Sequence, residues 1–100
     1  MEDDNLINTI RQNDEMLNNI NFQTQSFEKE LMEIDLIIKD LKEKKEGYKI
    51  IGSIIVKKDT DSLIIELNEK KEILTSRINN LKKNYNQIKE NQEDLKSNLK

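Results

Sequence analysis

Apolar residues recur along this chain at alternating steps of three and four, in two long tracts separated by one interruption, YKIIGSIIVKKDT (Tyr48 to Thr60). The first tract reads Leu6, Ile10, Asn13, Leu17, Ile20, Thr24, Phe27, Leu31, Ile34, Ile38, Leu41, Lys45 and Tyr48. The second reads Ile64, Leu67, Lys71, Leu74, Ile78, Leu81, Tyr85, Ile88, Gln92, Leu95 and Leu99. A mean period of about 3.5 is the signature of helices that pack along a narrow seam. No proline occurs, and no glycine precedes Gly47. The pattern predicts a mainly α protein, a long antiparallel two-helix coiled coil joined by one short β-hairpin. The helix arms are expected over 5–46 and 60–99 and the hairpin over 48–58, in one domain spanning 1–100.

The interruption has a different grammar. Tyr-Lys-Ile-Ile (48–51) and Ile-Ile-Val-Lys (54–57) are dense in β-branched residues, which suit strands. Gly52-Ser53 between them suits a two-residue type II′ turn. Gly47 is read as the helix terminator, with a left-handed cap as its expected geometry. A lone hairpin of this size is marginal in water and leaves two open edges. It is therefore expected to pair with hairpins of other subunits; a plain structural cap on the helical hairpin is the alternative. Asp59 or Thr60 can cap the second helix, and Asp61 suits its positive first turn. Leu63 and Ile65 are expected to pack under the hairpin.

Folding the chain about the insert roughly pairs Leu41 with Lys71, Ile38 with Leu74, Ile34 with Ile78 and Phe27 with Tyr85, with a slip of one turn left open. Further out it pairs Ile20 with Gln92 and Leu17 with Leu95. Lys71 would then snorkel along the seam, Tyr48 and Tyr85 read as packing residues, and polar Asn13 and Gln92 would fix the register at some cost in stability. Met16 and Phe22 lie off the seam. They are either scattered surface apolarity or part of an exposed apolar strip where a partner docks.

Composition narrows the class. Of 100 residues, 37% are charged and only 4% aromatic, and the mean hydropathy is -0.86. That mix suits long exposed helices better than an independent globular core. Disorder would share the composition but would not produce a phased seam. Cysteine and histidine are absent. No glycine-rich phosphate loop occurs, and the acidic residues fall mainly on outer helical faces. No enzymatic activity, metal or cofactor is expected. The net charge of -3, with both signs interspersed, leaves no nucleic-acid footprint. No stretch has the length of a membrane span, and the acidic start MEDDN is not a signal peptide. A cytoplasmic or nuclear location follows as the default, and cytoplasmic is the expectation.

Tyr48-Lys49, Ile51-Gly52 and Ile55-Val56-Lys57, followed by Glu66-Leu67, Glu69-Lys70, Glu72, Leu74, Arg77-Ile78 and Leu81, resemble the prefoldin beta-type subunits. The specific part covers about a third of the chain, and the general architecture nearly all of it. Tyr48-Lys49 and the stretch from Glu69 to Ile78 are similar to subunit 6 and the archaeal beta type; Glu33 to Lys42 is similar to subunit 2. The resemblance implies a subunit of a six-chain, ATP-independent cochaperone with alpha- and beta-type partners. Such a complex holds unfolded client proteins, actin and tubulin among them, and delivers them to the cytosolic chaperonin. It implies an assembly hairpin of Tyr48, Ile50, Ile51, Gly52, Ile54, Ile55 and Val56. By position alone it implies client-binding tips at Leu6, Ile10, Met16, Leu17, Ile20, Phe22, Leu95 and Leu99. The rival function is a passive coiled-coil scaffold subunit of another multiprotein complex.

Overall fold

The structure, a computed structural model, describes residues 2–44 and 46–98. Lys45 and Leu99, assigned above to the seams, and Leu99 as a tip residue, lie outside the described residues. Helix α1 (Glu2–Lys42) leads into strand β1 (Glu46–Ile51), which turns into β2 (Ile54–Asp59) and continues directly into helix α2 (Thr60–Ser97). The expected mainly α class, two long helices joined by a short antiparallel hairpin, is what is found. Every described seam position within the two helices is buried or half-buried, and most of the positions between them are exposed.

The helix boundary differs from expectation. Helix α1 stops at Lys42, not 46. Glu43 and Lys44 donate their backbone N–H groups to the carbonyls of Asp40 and Leu41, at 3.2 and 3.1 Å. These three-residue steps tighten the last turn and satisfy two carbonyls that the helix leaves open. Lys39 and Lys42 sit there, favourably placed at the negative end of the helix dipole.

Gly47 is not a left-handed cap. It lies in β1 opposite Lys58, and the positive φ belongs to Gly52, at 60°. Gly47 is glycine because it is buried: a Cβ there would sit 2.5 Å from Leu63 Cδ1 and 3.1 Å from Leu41 Cδ2. Each strand has six residues rather than four. Backbone pairing runs on through Glu46 and Asp59 because ladder hydrogen bonds do not require apolar side chains. A positive φ at Gly52 but not at Ser53 is the type II′ pattern.

Two compact units partition the chain. The unit spanning Glu28–Ser76 contains the hairpin. Its core is Ile34, Ile38, Leu63 and Leu74, with Thr60 also buried. Leu63 packs at Gly47 as expected, but Ile65 is exposed, because it falls off the seam on the side away from Gly47. Tyr48 is exposed too: α1 has ended by then, so the three-four count no longer applies to it. Asp59 caps α2, accepting from Ser62 Oγ at 2.8 Å and from Ser62 N–H at 3.2 Å. These bonds, the side-chain one foremost, hold its carboxyl below its ordinary value.

The other unit comprises residues 1–27 and 77–100. Ile78 and Gln92 are its buried residues. The Arg77 guanidinium lies 6.0 Å from the centre of the Phe27 ring, within cation–π range.

The expected register is off by one heptad. Lys71 forms an ion pair with Asp35 instead of facing Leu41. In the other unit, Gln92 reaches Ile10 and Asp14 rather than Ile20, and Ile20 shares a groove with Tyr85. The cause is the position of the turn. The expected pairs centre on Val56, past the Gly52-Ser53 turn that the sequence itself suggests, whereas the hairpin pivots at that turn, with Ile51 opposite Ile54.

Candidate functional site

The hairpin presents two unlike faces, because successive strand residues point to opposite sides. Gly47 and Lys49 on β1, with Lys58 and Val56 opposite them, share the face toward α2. Lys49 Nζ donates to Glu66 Oε2 at 2.8 Å, and Lys58 Nζ donates to Glu66 Oε1 at 2.7 Å. One carboxylate on α2 thus holds both strands through charge-assisted bonds. The bond from Lys49, then that from Lys58, lowers the Glu66 pKa to about 2.

The opposite face carries Tyr48 and Ile50, with Lys57 and Ile55 across from them. Tyr48, Ile50 and Ile55 are 67%, 71% and 66% exposed. Lys57 and Glu46 pair on this face at 3.0 Å. At the turn, Ile51 and Ile54 are exposed as well, while Val56 is half-buried. A groove of about 330 Å³ runs between the hairpin and the helices, walled by Ile37, Leu41, Leu63 and Leu67 with Tyr48 and Ile50, and lined also by the Lys49–Glu66 pair. An apolar sheet face beside a mainly apolar groove can bury area against a partner, and open strand edges can extend a sheet.

The residues assigned to the tips separate into two sets. Leu6, Ile10, Leu17, Ile20 and Leu95 are half-buried in the seam, so much of their surface is used between α1 and α2. Met16 and Phe22 are exposed, Phe22 at 76%. The structure also exposes Ile7, which is off the seam and was passed over in the sequence.

Glu66 was not singled out from the sequence as a site residue, nor were Lys49 and Lys58. The signal was present: counting in twos from Gly47 puts Lys49 on the same hairpin face, and pairing from the Gly52 turn puts Lys58 there too. Among the described residues, no acidic cluster could hold a metal ion, and no helix is long and apolar enough to cross a membrane.

Two helices presenting a hairpin whose apolar face lacks cover define a coiled-coil assembly subunit. The family model described as "Prefoldin subunit" matches residues 4–100. The prefoldin subunit beta of Sulfurisphaera tokodaii is 32% identical over 89 residues, covering 86% of this chain and 71% of that one. That of Pyrobaculum calidifontis is 29% identical over 97 residues, covering 94% and 78%. The crystal structure of a Thermococcus prefoldin beta subunit superposes with a TM-score of 0.85 at 25% identity, over 94% of this chain and 85% of that one. The chain belongs to the prefoldin subunit family, on its beta-type side.

Proposed function

We propose that residues 1–100 act as one beta-type domain of a six-chain, ATP-independent cochaperone in the cytosol. The hairpin joins alpha- and beta-type partners. The arms hold unfolded proteins, actin and tubulin among the candidates, for delivery to the cytosolic chaperonin. The role is non-catalytic. Among beta-type chains, Tyr48-Lys49 and the stretch from Glu69 to Ile78 favour subunit 6 or the archaeal beta type over subunit 2.

The observation that carries this reading is the exposure of Tyr48, Ile50 and Ile55 on one hairpin face. Burying three such side chains contributes up to about 1.5–3 kcal/mol each, comparable with the roughly 4–15 kcal/mol that association costs, so the open strand edges have to contribute as well. On the arms, exposed Met16 and Phe22 offer weak apolar contacts, and several arms acting together multiply them by effective concentration.

The test is suppression of aggregation of a chemically denatured protein by the assembled complex. Removing residues 1–22 and 92–100 from this chain should reduce capture while the hairpin still assembles. Unchanged capture would move the function to passive scaffolding.

A further inference from the structure

Around Leu36, helix α1 is apolar on more sides than its seam requires. Seven of the eleven residues from Leu31 to Leu41 are apolar, too many for one narrow stripe. Ile34 and Ile38 are buried in the seam, whereas Met32, Leu36 and Ile37 are 69%, 64% and 48% exposed. A helix that is apolar all round is ordinarily covered on more than one side. Met32 and Leu36, four residues apart, form one ridge, and Ile37 and Leu41 form the next. The furrow between two such ridges seats a ridge of another helix, crossing at about 50°. Exposed Asp40 and Glu33 end the two rows, as a polar rim surrounds an apolar contact.

This outer apolar surface is confined to the turns beside the hairpin. One heptad earlier on α1, the places of Met32 and Leu36 are held by Gln25 and Lys29. On α2 the row through exposed Ile65 and Ile73 is broken by exposed Glu69.

The hairpin has an open edge on the same side. Ile51 and Ile54 flank the turn as a hydrogen-bonded pair, and such pairs alternate along the ladder. Tyr48 and Ile50 therefore direct their backbone N–H and C=O groups to the free edge of β1. The groove between hairpin and helices is lined by Tyr48, Lys49 and Ile50 of β1, by Ile37 and Leu41 of α1, and by no described residue of β2. A strand added to β1 comes down beside Ile37. In this chain β2 passes into α2 with no residue between them. A neighbour built the same way brings a helix wherever its strand pairs. Strands pair about 4.8 Å apart and helices pack about 8–10 Å apart, so that helix arrives against α1. The hairpin face alone is also small: three side chains fall short of the roughly 800 Å² per partner that a standard interface buries.

We propose that the furrow between Met32–Leu36 and Ile37–Leu41 receives a helix of the neighbouring subunit, the one attached to the strand that extends β1. The inference rests on the hairpin assembly read above. It adds a second contact, helix on helix, which sets the angle at which neighbouring helices leave their hairpins.

The chain has no cysteine, so a single one can carry a label. The complex is assembled with Leu36→Cys bearing a benzophenone, and the photoproducts are mapped by mass spectrometry. A covalent link to a helix of another subunit is expected. The same label at Asn18→Cys, exposed and two heptads before Met32, should give none. Met32→Asp with Leu36→Asp should raise the concentration at which the complex dissociates by about tenfold or more. Helical content should not change, because both sites are exposed. Met32→Leu with Leu36→Met should assemble as the unaltered chain does. An intact complex with no helix product from residue 36, or equal products from residues 18 and 36, would overturn the proposal. So would unchanged dissociation of the double aspartate variant. Those outcomes leave the hairpin reading standing; full assembly by Ile50→Asp would remove that reading and this inference with it.

Discussion

Lys49 and Glu66 are joined by a 2.8 Å hydrogen bond that ties strand β1 to helix α2. Lys58 binds the other oxygen of the same carboxylate at 2.7 Å, so both strands are anchored to one side chain. Tyr48 and Ile50, between and beside these anchored positions, stay exposed.

The anchor has a pH signature. The Glu66 carboxyl is lowered from an ordinary 4.5 to about 2. A depressed acid stabilises the fold fully above its unfolded value, and that contribution is lost as the pH falls from 4.5 through 2. Carboxyl titration followed by NMR should find Glu66 well below the ordinary value of 4.5. In Glu66→Gln the hairpin amides should exchange faster with solvent, and an ordinary Glu66 titration would remove the anchor.

The two glycines should fail for different reasons. Gly47→Ala places a methyl group against buried Leu63 and should cost about 1–3 kcal/mol. Gly52→Ala meets nothing within 4 Å and should cost about 1–2 kcal/mol through its positive φ alone. Denaturant midpoints measure both. Gly52→Asn, which tolerates positive φ better than Ala, should lose less than Gly52→Ala, whereas the larger Asn at Gly47 should lose more than Ala there.

Gln92 is 3% exposed. Its Nε2 donates to the Ile10 carbonyl at 2.9 Å and to Asp14 Oδ1 at 2.7 Å. Its Oε1 is buried without a hydrogen-bond partner among the described residues. A buried acceptor left unmade costs about 1–3 kcal/mol. Gln92→Leu should therefore raise stability to denaturant by about 1 kcal/mol, while loosening the register that the two donated bonds select. A clear loss of stability would mean that those bonds outweigh the orphaned oxygen.

Phe22→Ser tests whether exposure at the arm is functional. It should alter stability by less than about 0.5 kcal/mol, as for an exposed site, yet lower the capture of denatured protein. Leu74→Ala, in the core at 3% exposure, should cost about 2–5 kcal/mol. Thermal unfolding and aggregation assays on the same samples separate the two effects.

The sequence made the helices legible because a seam of threes and fours survives its polar interruptions at Asn13, Thr24, Lys71 and Gln92. The II′ turn was legible from Gly52-Ser53. The register was not, since heptads slipped by seven residues still match apolar to apolar. The Gly52-Ser53 turn chooses between them, but the expected pairs were centred on Val56 instead, as Lys71 with Asp35 shows. Gly47 misled because a glycine after a helix commonly caps it, while here it admits Leu63. The hairpin was legible as an element, but the residues assigned to assembly mix its two faces: Ile51, Ile54 and Val56 fall on the side of Lys49, and Tyr48, Ile50 and Ile55 on the other. Which side faces α2 is told by the Lys49 and Lys58 bonds to Glu66, which are long-range in sequence.

The central claim is that the Tyr48, Ile50 and Ile55 face assembles the complex. The most direct test is native mass spectrometry of this chain with alpha-type partners, for the unaltered protein and for Ile50→Asp. The account predicts a six-chain complex of two alpha-type and four beta-type subunits for the unaltered chain. It predicts dissociated subunits of unchanged helical content for Ile50→Asp. A stable homodimer from the unaltered chain, or full assembly by Ile50→Asp, would contradict it.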